Sequence, residues 1–459
     1  MQRADYVSTT NACKLCRPLG ACLAFRGIEG AVPMLHGSQG CATYMRRYII
    51  SHFREPMDIA SSSLGEKHAV YGGGANLKQG IKNAMTKFGA GLIGVATTCL
   101  TETIGDDVPM ILRELRKEME QAGEGPGLPP LVSVATPSYS GTHMEGFHAA
   151  VRAVVEQLCD KDFLCLPAEE KFVNLLPGFL SPADLRYLKE IVADFDLGCV
   201  MLPDISDTLD GPALEDYEKI PAGGTPISAI RQMGGALATL EFGHTMESGA
   251  TAGMILHERF GVALHQSGTP IGLRETDAFF KALEQASGTT TPDKHVLEKG
   301  RLVDSYVDGH KYVFGKRAVV YGEEDLVIGL TAFLTEIGIK PVLCASGGRS
   351  GRLRAGIERV TAGLLETCPA VEEGADFQKI EELCLGLAPE LLVGHSKGYK
   401  IAAKLAVPLV RVGFPIHDRF GAQRTLHVGY RGAQMLLDRI VNALLEKTQE
   451  ESPVGYGYM

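Results

Sequence analysis

Short apolar runs that stop at a glycine or cysteine alternate with segments of helical periodicity, and this feature most narrows the folds open to a chain of 459 residues. Residues 318–321 read as a strand, 325–337 as a helix and 341–344 as the next strand, with turns at Gly322 and Gly338. Residues 91–98, 131–135, 390–393 and 409–412 are further runs of the same kind. They end at Cys99, at Pro137 and Ser138, at the loop 394–398 and at the loop 413–415. Apolar strands joined through helices belong to parallel sheets covered on both faces. The expectation is an α/β protein of three doubly wound, Rossmann-like domains with mostly parallel sheets. Composition shifts at 164–171 and 287–299 divide the chain at about 1–165, 166–300 and 301–459. A final helix over 432–446 is expected to pack back on the first domain.

Charge and composition exclude several classes. A net charge of −10 without a Lys/Arg-dense run argues against nucleic acid as a partner. The N-terminal residues carry no apolar core of a secretory signal, and no run approaches the ~18 apolar residues of a membrane span. A cytoplasmic location is expected, where eleven cysteines point to metal or redox work more than to disulfides.

Three of those cysteines stand apart. Cys16 opens Cys-Arg-Pro-Leu-Gly, Cys41 closes His-Gly-Ser-Gln-Gly-Cys and Cys99 ends Thr-Thr-Cys, while Ser138 sits in Thr-Pro-Ser-Tyr-Ser-Gly like a fourth member. In open α/β sheets, ligands gather outside the carboxyl ends of the strands, where Cys99 and Ser138 both fall. Thiolates gathered by separate turns suit an iron–sulfur cluster. The separations of 25 and 58 residues fit neither a zinc finger nor a ferredoxin run. Cys16, ahead of Pro18 and Gly20, is read as lying in a turn. Cys159, Cys165, Cys199, Cys344, Cys368 and Cys384 fall in helical or strand patterns and read as small buried hydrophobes, as do Cys13 and Cys22.

These segments resemble the β-type subunits of nitrogenase component 1. The matching stretches are 35–41, 52–56, 61–63, 72–74, 97–99, 136–141, 394–398 and 411–415. The resemblance implies a chain of three α/β domains paired with an α-like subunit in an α2β2 heterotetramer. It implies that Cys16, Cys41 and Cys99 supply half the ligands of an interface [8Fe-7S] P-cluster, with Ser138 ligating its oxidised form. It further implies an Fe protein that uses MgATP and docks near Tyr71, a larger iron–sulfur cofactor in the partner, and cluster neighbours at Ser38 and Tyr44. No general acid, base or nucleophile is assigned to this chain, because the substrate site belongs to the partner.

Within the family, the persistence of all three cysteines favours a reductase. Only 15 residues precede Cys16, and the turn reads Gly-Ser-Gln-Gly-Cys. With residues 9–14, 44–47 and 454–456, these features resemble the NifN-like group that includes the β-like subunit of methylthio-alkane reductase. That reductase is the expected function. A NifN-type assembly scaffold holding a [4Fe-4S] cluster and a dinitrogen-reducing β-subunit are the alternatives. The loop 394–398 lacks phosphate-loop spacing and reads as a strand-end turn. Asp106 and Asp107 read as helix capping. His36, His52 and His143 read as hydrogen-bonding neighbours of the cluster loops, and Arg46, Arg47, Arg54 and Glu55 as interface ion-pair residues.

Overall fold

A computed structural model describes residues 11–123, 125–160, 171–216, 218–246 and 251–454. Cys165 and the expected domain edge at 165 lie outside the described residues. Among the described residues, thirteen strands form three sheets in which every ladder is parallel. The first contains β1 (Ala31–His36), β2 (Ala60–Ser61), β3 (Leu92–Thr97) and β4 (Leu131–Val134), in the order β2-β1-β3-β4. The second contains β5 (Phe172–Leu176), β6 (Gly198–Met201), β7 (Ala238–Phe242) and β8 (Ala263–Ser267), in the order β6-β5-β7-β8. The third contains β9 (Arg317–Gly322), β10 (Lys340–Ser346), β11 (Ala370–Glu372), β12 (Leu391–Gly394) and β13 (Leu409–Arg411), in the order β11-β10-β9-β12-β13. Each order reverses once, so each sheet is doubly wound. The switch points lie between β1 and β3, β5 and β7, and β9 and β12.

β3, β4, β9, β10, β12 and β13 form where the apolar runs predicted them. β1 and β3 are buried along their whole lengths, as strands covered by helices on both faces must be. β1 carries Pro33 in its middle, yet β2 pairs only with Met34 and Leu35, so Pro33 has a strand neighbour on one side alone. One hydrophobic cluster runs continuously through all three sheets, and two smaller ones cover the far faces of the first and third.

Two expectations are corrected. Residue 300 falls inside the helix Asp293–Val313, so a boundary there would cut a 21-residue element. The last helix is longer than expected, Gly429–Glu451, and packs mainly along Gly272–Ser287 and Asp293–Val313 rather than on the first sheet. Its apolar stripe of Tyr430, Ala433, Leu437 and Ile440 is buried there, where Gly309 leaves room for Leu437 and Val441.

Candidate functional site

The candidate ligands emerge from the C-terminal rim of the first sheet. β1 ends at His36, and Ser38 caps the helix Gln39–Phe53 by accepting a hydrogen bond from the Gly40 amide. Cys41 therefore stands in the first turn of that helix. β3 ends at Thr97, Thr98 caps the helix Cys99–Ile104, and Cys99 is its first residue. These two helices follow the two strands that flank the first switch point, where the divergence of adjacent connections opens a crevice. Ser138 begins a single 3-10 turn just beyond β4.

Cys16 is not in an irregular turn. It caps the helix Arg17–Arg26, in which Pro18 occupies the first turn, where its missing N–H costs nothing. Gly20 sits inside that helix because the helix His143–Leu158 crosses it at backbone contact. A Cβ on Gly20 would lie 1.6 Å from the His143 carbonyl oxygen, and one on Gly146 would lie 1.9 Å from that of Arg17. Two further bonds secure the Cys16 segment. The His143 amide donates to the Leu15 carbonyl at 3.1 Å, and Arg17 Nη1 donates to Ser140 Oγ at 2.7 Å, drawing the Ser138 turn alongside.

Thus Cys16, Cys41, Cys99 and Ser138 all stand at the N-terminal ends of helical segments. Backbone N–H groups left without intrahelical partners there can donate to sulfur. Cys41 is also close enough to Cys99 and Cys16 to sense both. Burial pushes Cys41 up first, then the neighbouring Cys99 and Cys16 push it further, while the Ser38 hydroxyl opposes them. The loops are locked at Gly37, where a Cβ would overlap the Thr98 side chain. Thr98 and Thr101 hydroxyls both donate to the His36 carbonyl oxygen, at 3.1 and 3.0 Å.

The donor set fits an iron–sulfur cluster. Cys99 is exposed and Cys16 and Cys41 are half-buried, whereas Cys13, Cys22, Cys159, Cys344 and Cys384 are buried; all ten described cysteines are free. Among the described residues no three His, Cys, Asp or Glu side chains converge on a single metal ion. Thiolates that bind different irons of one cluster need no such convergence. Cys199 is half-buried in β6, and the expectation fails at Cys368, which lies exposed between the helix Leu353–Thr361 and β11.

The surrounding polar groups have structural duties. His36 is fully buried, with Nδ1 2.9 Å from Ser62 Oγ and Nε2 3.0 Å from Asp106 Oδ2. Burial holds its pKa below the ordinary value despite Asp106. Asp106 also accepts from the Gly73 amide, so only Asp107 caps a helix, accepting from the Met110 amide at 2.9 Å. His52 Nδ1 accepts from the Ile416 amide at 2.9 Å, and burial lowers its pKa to about 3. His143 faces Glu323 rather than the thiols. Arg46 donates within the chain to the Met57 carbonyl.

Sequence reasoning placed Lys397 in a strand-end turn and did not bring it near Cys16. Burial lowers its pKa, opposed by Tyr48, Cys13 and Cys16, and its ammonium donates to the Ala12 carbonyl at 3.0 Å. A cation thus stands behind Cys16 although 381 residues separate the two in sequence. His395, in the same strand-end turn, lies 3.8 Å from Cys13 Sγ, and burial pushes that thiol up to about 12.

The sequence model of a family described as Nitrogenase component 1 type Oxidoreductase matches residues 16–445. The chain belongs to the nitrogenase component 1 family. Its relatives there include the nitrogenase molybdenum-iron protein beta chain of Clostridium pasteurianum, 35% identical over 96% of this chain and 94% of that one. That of Methanothermobacter thermautotrophicus is 36% identical over 95% and 94%. The vanadium-iron protein beta chain of Trichormus variabilis is 33% identical over 97% and 96%. A chain solved as "Nitrogenase Cp1 at pH 6.5" superposes with a TM-score of 0.93 at 33% identity, covering 100% of this chain and 98% of its own. The chain is therefore a β-type subunit of a nitrogenase component 1 oxidoreductase. The family implies iron–sulfur clusters, an α partner and an Fe protein. Among the described residues no helix is long and apolar enough to cross a membrane.

Proposed function

We propose that this chain supplies Cys16, Cys41 and Cys99, with Ser138 in the oxidised state, to an interface [8Fe-7S] P-cluster completed by an α-like partner. The reading rests on one observation: three free thiols at helix N-termini on one rim, with Cys99 exposed and Cys41 near enough to Cys99 and Cys16 to be pushed up by both. When bound, such a cluster supplies one-electron redox chemistry, tuned by burial and by hydrogen bonds to its sulfurs. The chain's own part is to hold ligands at fixed spacing and to set the local field, with Lys397 as the nearby buried cation. Electrons would come from a MgATP-dependent Fe protein and pass to a larger iron–sulfur cofactor in the partner, within an α2β2 assembly in the cytoplasm. Val70 and Tyr71, exposed by 78% and 87% on the short helix His68–Tyr71, offer the Fe protein an apolar docking point.

The substrate reading is a methylthio-alkane reductase, carried by the Gly-Ser-Gln-Gly-Cys turn and by residues 44–47. A dinitrogen-reducing β-subunit is the second reading, favoured by relatives named as molybdenum- and vanadium-iron beta chains. Anaerobic co-purification with the partner, iron quantification and redox-poised EPR test the cluster. About eight irons at the interface with an oxidised P-cluster signal are expected. A lone [4Fe-4S] signal with a transferable cofactor precursor would instead make the chain an assembly scaffold. Turnover with dimethyl sulfide or with dinitrogen then separates the two reductase readings.

A further inference from the structure

A second concavity lies where the three sheets meet. It encloses about 520 Å³, within the range of small-molecule sites. The rims at two switch points face into it: Gly322 to Asp325 after β9, and Thr245 and Met246 after β7. Ser346 and Gly348 after β10 and the helix His143–Leu158 complete the wall. Cys41, Cys99 and Ser138 do not line it. Two switch-point crevices opening on one space is the arrangement in which doubly wound sheets hold ligands.

The charged side chains lining this space are balanced in number but not in commitment. The acids are largely engaged, although Glu323 Oε2 is buried without a hydrogen-bond partner. Asp325 Oδ1 accepts from the His244 and Thr245 amides at 2.7 and 3.1 Å, and its Oδ2 accepts from the Thr245 hydroxyl. Glu145 accepts from the Thr142 amide and hydroxyl, and Glu323 contacts His143. Glu324 Oε1 accepts from the Ser350 amide, and burial raises this carboxyl to about 7, which thins the negative charge near neutrality.

The cations keep donors in reserve. Arg17 Nε and Arg152 Nε are buried without hydrogen-bond partners; the latter lies 4.0 Å from Glu156, beyond bonding distance. Arg352 spends Nη1 on the Thr245 carbonyl at 3.3 Å. His143, only 3% exposed, has no hydrogen-bond partner at Nδ1. Buried N–H groups left unpaired cost about 1–3 kcal/mol each, so their concentration around one cavity marks a place where acceptors are due.

We propose that this three-domain cavity binds a small organic anion carrying two or more negative groups, held by Arg17, Arg152 and Arg352. A guanidinium fork suits carboxylate or phosphate oxygens, and three forks around one space select multivalent over monovalent anions. Binding would tie the first and third domains together, since Arg17 and Arg152 come from the first and Arg352 from the third.

The test uses the anaerobically purified complex with its partner. Citrate and pyrophosphate are titrated by calorimetry, with acetate at matched ionic strength as the monovalent control. Saturable binding of citrate or pyrophosphate at one site per chain is expected, and none of acetate. Citrate and pyrophosphate separate a carboxylate from a phosphate ligand. Arg352→Gln and Arg152→Gln should each weaken binding by about tenfold or more, with Arg352→Lys intermediate. Iron content and the cluster spectrum, read on the same samples, should not change, so failure here is distinguishable from failure of the cluster assignment. Absence of saturable heat from both probes overturns the proposal, as does equal affinity in both Gln variants or equal binding of acetate. Arg152 is 41% exposed at its side chain, so Arg152→Gln should fold even if Arg352→Gln does not.

Discussion

Gly20→Ala is the sharpest probe of how the fold positions the cluster ligands. The added Cβ would stand 1.6 Å from the His143 carbonyl oxygen, 2.6 Å from its carbon and 2.7 Å from the Phe147 amide nitrogen. All three are backbone atoms, so no rotamer change relieves the clash. Ordinary contact begins at 3.4 Å, so the helices Arg17–Arg26 and His143–Leu158 must part by about 1.8 Å. Overpacking of this kind costs about 1–3 kcal/mol, and a backbone obstruction belongs at the upper end. Cys16 caps the displaced helix, while a binding constellation tolerates displacements of roughly 0.5 Å. The variant should therefore lose most of its interface iron while keeping its secondary structure.

The assay is iron per complex, with circular dichroism and thermal unfolding on the same preparation. Gly300→Ala serves as the control. Gly300 is an exposed interior residue of the helix Asp293–Val313, with nothing within 4 Å of its would-be Cβ. That change should stabilise by up to about 1 kcal/mol and leave iron untouched. Full iron and unchanged unfolding in Gly20→Ala would refute the reasoning outright. Lost stability with full iron would show that this helix pair does not set the position of Cys16.

Cys99→Ala should abolish the interface iron yet leave the unfolding midpoint of the metal-free chain within about 0.5 kcal/mol, because Cys99 is exposed; normal iron content rejects the ligand. Ser138→Ala should leave the reduced cluster's spectrum intact and alter only the oxidised one, and an unchanged oxidised EPR signal removes Ser138 from the set. Glu324 has a folded pKa raised to about 7 by burial, so the native state binds the extra proton between pH 4.5 and 7. Its contribution is present at low pH and lost as pH rises through 7, so Glu324→Gln should gain about 1–3 kcal/mol on the wild type between pH 5 and 8 in urea titrations. The difference between the two proteins isolates this term from His36, His52 and His395, whose lowered pKa values act in the opposite direction.

The parts of the fold visible in the sequence are those governed by local pattern. β3, β4, β9, β10, β12 and β13 appear within a residue or two of the apolar runs, since a strand buried on both faces must be apolar throughout. β1 was hidden by Pro33, which reads as a breaker until the short reach of β2 is known. The helix after Cys16 was hidden by Pro18 and Gly20, residues that signal a turn locally. Here they mark a helix start and a backbone contact 123 residues away. Cys368 was misassigned because an isolated cysteine carries no information on exposure. Lys397 and the three-domain cavity depend wholly on chain segments distant in sequence, and no local pattern announces either.

Doubly wound sheets offer a crevice at each switch point, and the described residues form three. Two face inward onto the shared cavity, whose walls are salt-bridged and hydrogen-bonded within the chain. The first opens to the surface and carries the thiols. Thiols held at helix N-termini, close together and accessible, are reactive toward one another and toward oxidants. A fold that went no further than this would oxidise readily. Commitment of the thiols to metal under a covered rim would remove that liability. Free thiols gathered on an open rim are thus a physical argument for a covering partner surface, independent of the names of the relatives.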